Sequence, residues 1–456
     1  MVGALPLALT SLGLEVTVFL PSFPSVLTAL KGKRRLGMIS DVAGQPATLL
    51  SGTTATGLNC IALDAPDLFN IKGNPYLTDT GDDRVGNGEK FAAFSKVAAD
   101  VALGKIGPKK HDILHAHDWQ AGLTAAYVKA SGNTELKTIL TIHNLAFQGL
   151  FPASLMKSLD LPPDYYSPEG FEYWDKISFL KAGLAYSDHV TTVSPTYALE
   201  IQSDEGGMGF GGMLRAKGNA LSGILNGIDL DVWNPETDTE ISNTYSASKP
   251  DGKVKNKTAL QKVLKLRPDS NAPLFTVISR LTTQKGLDLL AEMTDYIVSK
   301  GGQLALLGSG DSAIEESFKA AAIKHPTEIS VTIGYDEPLA HRLQAGADAI
   351  LIPSRFEPCG LTQLCAMRYG TVPIVGRVGG LNDTVIDANP MALTSGAATG
   401  VQFSPINAHM LFSAITRAFQ IYRSPDQWAQ LRENCLAQDL GWEASAKKYR
   451  DLYTSL

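Results

Sequence analysis

This sequence predicts an α/β protein with two doubly wound parallel-sheet domains facing a cleft, and three observations carry that expectation. Short apolar runs alternate with helical stretches along the chain, as a parallel sheet with crossover helices requires. The alternation comes in two series, separated by the polar stretch 234–250, which is poor in large apolar residues and reads as the domain boundary. The stretches richest in chemically capable residues follow strands, at the carboxyl ends where open α/β sheets bind ligands.

In order along the chain, residues 3–13 read as a helix stopped by Gly13, and 14–21 alternate as a strand. No basic segment precedes this apolar start and no clear cleavage site follows, so it does not read as a signal peptide. The chain is instead expected to begin inside a βαβ unit, with a helix whose preceding strand is absent. Clear strands follow at 58–63, 112–115, 137–142 and 189–193, with helices at about 89–104, 119–131 and 174–187. The second series has strands near 274–279, 303–307, 329–333, 349–353 and 372–375, each followed by a helical pattern. Residues 426–456 read as one amphipathic helix. The expected division is therefore 1–235, 251–425 and a terminal helix, 426–456, both domains being Rossmann-like.

With 456 residues, the chain has room for about three domains at ~150 residues each. At 44% hydrophobic and 19% charged it falls in the soluble globular class, and no run approaches the ~18–20 apolar residues of a membrane span. A net charge of −6 gives no basic surface for nucleic acid or anionic lipid, so an anionic ligand must be met by local cations. Cys60, Cys359, Cys365 and Cys435 lack the spacing of a disulfide framework or zinc site, which suits a reducing cytoplasm.

The apolar run 349–353 leads into Ser354-Arg355-Phe356-Glu357-Pro358-Cys359-Gly360-Leu361-Thr362, and 360–369 reads as a helix ending at Gly370. Glu357 and the amides of Cys359, Gly360, Leu361 and Thr362 thus lie where a strand hands over to a helix, a place that suits a phosphate. A carboxylate there would repel a bare anion, so Glu357 is expected to face a neutral part of the ligand, such as a sugar. The plainer alternative is a helix-start carboxylate favoured by the dipole. Upstream, the strand 274–279 runs into Arg280-Leu281-Thr282-Thr283-Gln284-Lys285-Gly286. Two cations on one strand-to-helix loop suit a diphosphate leaving group as its charge develops.

Together with His115-Ala116-His117-Asp118-Trp119-Gln120, the segment 141–149 (with His143 and Asn144) and Leu225-Asn226-Gly227-Ile228-Asp229, these two stretches resemble the signature segments of bacterial glycogen (starch) synthases. The resemblance covers nearly the whole chain. It implies a GT-B fold and retaining transfer of glucose from ADP-glucose to the non-reducing end of an α-1,4-glucan, with no cofactor. It implies that Arg280 and Lys285 neutralise the departing diphosphate, assisted by the 360–362 amides, and that Glu357 holds the glucose 3- and 4-hydroxyls. His143 would contact the donor glucose. Asp118 and Trp119 would line the sugar and acceptor side, with Asn144 and Tyr76 as further substrate contacts and His115 and His117 partly structural. Asn226 would lie near the donor pyrophosphate, the glycine-rich 206–212 would be a loop beside the cleft, and the last segment would cross back to the first domain.

Departures from the family pattern also bear on function. The family's opening strand and Lys-Thr-Gly-Gly-Leu loop have no counterpart here, so no residue inherits their phosphate contacts. Gly86-Asn87-Gly88-Glu89-Lys90-Phe91 replaces an Asp-Asn and Arg-Phe pattern, and Cys365 stands where some related transferases carry a second glutamate. A metal at His115 and His117 would need a third ligand from His111, Asp118 or His143, and no spacing singles one out. Gly379-Gly380-Leu381-Asn382-Asp383-Thr384 reads either as a nucleotide contact or as a tight turn before a capped helix. A glucan phosphorylase-like enzyme and a non-catalytic glucan-binding remnant remain as rivals.

Overall fold

The unbroken apolar runs become parallel strands buried on both faces, which is why they carry no polar alternation. The computed structural model describes residues 2–78, 81–107 and 109–456. The chain forms two units: one comprises the chain up to Val193, Ala198–Ile224 and Glu443–Leu456, and the other comprises Ser194–Tyr197 and Leu225–Trp442.

In the first unit, β1 (Thr17–Pro21), β2 (Lys31–Val42), β3 (Gln45–Thr53) and β4 (Asn59–Asp64) form a sheet of order β1-β4-β3-β2. A second, all-parallel sheet has the order β11-β10-β6-β5, made of β5 (Ile113–His117), β6 (Lys137–Ile142), β10 (His189–Thr192) and β11 (Leu221–Gly223). A small antiparallel sheet joins β7 (Leu150–Pro152), β9 (Lys176–Ser178) and β8 (Glu172–Tyr173). The helix Glu443–Ser455 packs against Leu5–Ser11 in the same unit.

The second unit is built on one parallel sheet of order β14-β13-β12-β15-β16-β17. Its strands are β12 (Leu274–Ile278), β13 (Gln303–Gly308), β14 (Ile329–Ile333), β15 (Ala349–Ile352), β16 (Val372–Gly376) and β17 (Val401–Phe403). Phe275, Val277, Leu304, Leu306, Leu351 and Ile374 belong to one core cluster, while Ile350, Ile352 and Val375 belong to another. Strand order reverses between β12 and β15, which pair directly. Ligands of such sheets bind at this kind of switch point.

Four expectations need correction. The first domain is not parallel throughout, because β2 and β3 form an antiparallel hairpin. Ala43 and Gly44 close it with φ 54° and 84°, as a two-residue turn with both residues left-handed requires. Strand β2 is mostly exposed and carries Lys31, Lys33, Arg34 and Arg35, charges that protect an edge and hide the apolar signal of a strand. The helix expected from 174 starts only at Phe179, where the Ser178 side chain caps the Lys181 amide at 3.1 Å, because 172–178 is used by the β8–β9 hairpin. The stretch 119–131 begins as a short 3-10 turn, Trp119–Ala121, before the helix Thr124–Ala130. The terminal segment is two helices, Pro425–Leu436 and Glu443–Ser455.

The division between units falls at Ile224/Leu225, upstream of the polar stretch. Residues 225–245 are tied to the second unit: Trp233 stacks on His341 at 4.0 Å, and Asp238 accepts from Tyr369 at 2.5 Å and contacts His341 at 2.7 Å.

Candidate functional site

The anticipated residues fall into two groups, one in each unit. In the second unit the loops leaving β12 and β15 meet at the switch point. Gly286 makes this possible: its φ is +68°, and a Cβ there would lie 2.0 Å from the Pro353 carbonyl oxygen. This approach brings Lys285 to Glu357, with Nζ 2.5 Å from Oε2. Ser354 donates to the same oxygen at 3.0 Å. Glu357 is only 7% exposed, so its charge is held by two donors rather than by water.

Residues that the sequence reading left unassigned lock these loops together. The Arg355 guanidinium makes a bidentate pair with Asp288 at 2.7 Å and 2.7 Å, and the Arg355 amide donates to the Gln284 carbonyl at 2.9 Å. That pair holds the Asp288 carboxyl below its usual range. Gly379 backs Glu357 closely, since a Cβ there would lie 2.0 Å from the Glu357 carbonyl oxygen. Ser194 donates to the Pro358 carbonyl at 2.6 Å. Nothing in the local sequence around Ser194 or Asp288 marks either of them; only the fold brings them here.

Arg280 is exposed, with Nη2 a long 3.4 Å from Gln284 Oε1. The helix after Glu357 spans Thr362–Arg368, shorter than the expected 360–369, and Leu361 precedes it as a cap with no side-chain bond. Gln363 holds this start by donating to the carbonyls of Cys359 (3.1 Å) and Gly360 (2.9 Å). Burial pushes the Cys359 thiol up to about 12, leaving it protonated. Among the described residues, the buried Oδ1 of Asn226 has no hydrogen-bond partner. Lys285, Ser354, Glu357, Gly360, Leu361 and Thr362 line an open cavity of about 70 Å³.

In the first unit, β5 and β6 run side by side, with His117 opposite Thr141. Asp118 leaves β5 with φ 54°, and its Oδ1 accepts the His143 amide at 2.7 Å. Burial raises the Asp118 carboxyl to about 6, against the lowering effect of the His143 and Asn144 amides. His117 Nδ1 lies 3.1 Å from His143 Nε2. Burial lowers His143 to about 4 and His115 to about 3, and lowers His117 well below its ordinary value, so these rings are neutral near pH 7. His115 is held at both nitrogens, by Tyr453 (2.7 Å) and Thr141 (2.6 Å). Among the described residues, no cluster of three or more His, Cys, Asp or Glu side chains is arranged to hold a metal ion.

Trp119 sits in an aromatic nest, its ring centroid 5.0 Å from Phe91, 5.7 Å from Phe151 and 6.3 Å from Tyr76. Asn144 uses Oδ1 locally, accepting the Ala146 amide at 3.0 Å. The stretch that departs from the family pattern supplies a replacement anchor. The buried Lys90 Nζ donates to the Pro75 carbonyl and to Asn87 Oδ1, both at 2.8 Å, while Asn87 Nδ2 donates to the Tyr76 carbonyl at 2.9 Å. Desolvation lowers the Lys90 ammonium to about 8.

The starch synthase catalytic domain family matches residues 1–216, and the group 1 glycosyl transferases match residues 261–434. A glycogen synthase of Rhodopseudomonas palustris (strain BisA53) is 48% identical over 454 residues, covering 100% of this chain and 93% of that protein. Glycogen synthase 2 of Bradyrhizobium diazoefficiens is 49% identical over 454 residues, with the same coverage, 100% and 93%. The catalytic domain of starch synthase IV from Arabidopsis thaliana, solved bound to ADP and acarbose, superposes with a TM-score of 0.89 at 33% identity, covering 100% of this chain and 94% of that one. A sucrose-phosphate synthase from Thermosynechococcus elongatus shares the fold at a TM-score of 0.57 and 19% identity, covering 99% and 91%.

Proposed function

The chain belongs to the glycogen and starch synthase family of GT-B glycosyltransferases, and from that premise we propose that it transfers glucose from ADP-glucose to the non-reducing end of an α-1,4-glucan with retention of configuration. The observation that carries the reading is the Lys285–Glu357 pair at the switch point, with Arg280 on the same loop. Arg280 and Lys285 neutralise the charge that grows on the diphosphate as its bond to the anomeric carbon breaks. The amides of Cys359, Gly360, Leu361 and Thr362, together with Asn226, complete the donor contacts. Lys285 has a second effect: it cancels the Glu357 charge, which would otherwise repel the diphosphate. Glu357, oriented through Oε2, accepts hydrogen bonds from the glucose hydroxyls. Asp118, His143, Asn144, Trp119 and Tyr76 serve the glucose and the acceptor from the first unit.

All four cysteines are free and buried, which suits a reducing compartment, and we place the activity in the cytoplasm. Among the described residues no helix is long and apolar enough to cross a membrane. The test is incorporation of radiolabelled glucose into glycogen with ADP-glucose and UDP-glucose in competition. ADP-glucose is expected to win. Equal rates overturn the donor assignment, and no incorporation from either donor overturns the reading.

A further inference from the structure

The turn between β8 and β9 is built from the wrong kind of residue. Tyr173 pairs with Lys176, leaving Trp174 and Asp175 as a two-residue loop, and both are left-handed, with φ 51° and 59°. Such turns favour Asn-Gly, and a bulky residue at positive φ is an outlier. The turn is nevertheless braced. Glu172 Oε1 accepts the Asp175 amide at 2.8 Å, and the Tyr173 hydroxyl donates to the Met208 carbonyl at 3.0 Å while its ring packs on Phe210 at 4.9 Å.

Bracing of this kind does not serve a core contact, because the Trp174 side chain it presents is 81% exposed. Backbone strain that packing does not reward points to function. The position also fits a role near the substrate. Gln148 Nε2 donates to the same Met208 carbonyl at 3.0 Å, which ties the hairpin to the loop that leaves His143 and Asn144. Phe147, next to Gln148, is itself 54% exposed. Asp175 and Lys176, beside the indole, are exposed and offer an acceptor and donors.

We infer that Trp174 is the stacking platform of a surface subsite for α-1,4-glucan, an inference that rests on the function proposed above. A glucose ring has an apolar C–H face that packs on an indole and a rim of hydroxyls that Asp175 and Lys176 can bond. A branched polymer presents many such rings, so a weak subsite still raises its local concentration at the enzyme.

The test uses the full chain with Trp174→Asn, which suits a left-handed turn but lacks the ring, and Trp174→Phe, which keeps one. Glycogen co-sedimentation and the KM for glycogen are read beside kcat and the KM for ADP-glucose. Trp174→Asn is expected to weaken glycogen binding and raise the glycogen KM about tenfold, the scale on which one aromatic stacking contact counts. Trp174→Phe should recover most of that loss, and the ADP-glucose KM should not move. Unchanged glycogen binding in an active Trp174→Asn variant overturns the platform alone. A concentration-dependent dimer in the parent that Trp174→Asn dissociates also overturns it, making the ring a contact between copies of the chain. A parent that neither binds nor extends glycogen overturns the function reading and the subsite with it.

Discussion

Glu357→Gln separates chemistry from folding at the end of β15. In the folded protein the carboxylate accepts from Lys285 and Ser354 through one oxygen. Glutamine keeps the shape and can still accept from Ser354. Lys285, whose side chain is 18% exposed against 9% for Glu357, can turn its ammonium to water. Breaking a fully buried pair costs ~3–5 kcal/mol and an exposed one ~0–1 kcal/mol, so this pair should cost ~1–2 kcal/mol. A domain with ~5–15 kcal/mol of stability survives that. Turnover should suffer more. Hydrogen bonds to a charged group contribute ~1.5–3 kcal/mol each, and two of them weakened together lose ~3 kcal/mol, or about 150-fold in rate. Urea unfolding and initial rates of glucosyl transfer at saturating ADP-glucose, run on the same preparation, measure both quantities. Turnover within about threefold of wild type would make Glu357 a helix-start charge and refute the assignment.

Three further expectations follow from the same geometry. Gly286→Ala combines a left-handed φ with a clash at the Pro353 carbonyl and should destabilise the second unit by ~2–4 kcal/mol, so an unchanged thermal midpoint would mean that the loops do not approach as described. Asp118 has a folded pKa of about 6 against a model value of 3.8, so the folded state binds the extra proton between these values. Its contribution to stability is therefore fully present below the unfolded pKa and lost as pH rises through about 6. The stability of Asp118→Asn relative to wild type should thus increase by about 3 kcal/mol between pH 3.5 and pH 7, and a flat difference in urea melts would contradict the raised pKa. Lys90→Met removes the bonds to Pro75 and Asn87 and should raise the glycogen KM several-fold while leaving that for ADP-glucose alone, whereas equal shifts in both would point to general loosening.

The parallel strands were readable because burial on both faces leaves an unbroken apolar run: 274–279 and 349–353 correspond to β12 and β15 within a residue. The chemically capable residues were readable for a related reason, since they follow those runs directly. Which motifs meet was not readable. Lys285 and Glu357 are 72 residues apart, and they touch because β15 pairs with β12 rather than with β14, a strand order that no local pattern encodes. Gly286 was visible as a glycine, but its contact with Pro353 exists only once that order is set. The β2–β3 hairpin escaped because its edge strand is charged and exposed, and the β8–β9 hairpin because Trp174 and Asp175 stand where a turn ordinarily announces itself with Asn and Gly. Likewise His115 lies in a recognisable segment, yet its partner Tyr453 comes from the last helix, 338 residues away. Local periodicity reports how each segment is buried, whereas the partner of a side chain depends on how distant segments pack, and that is a property of the whole chain.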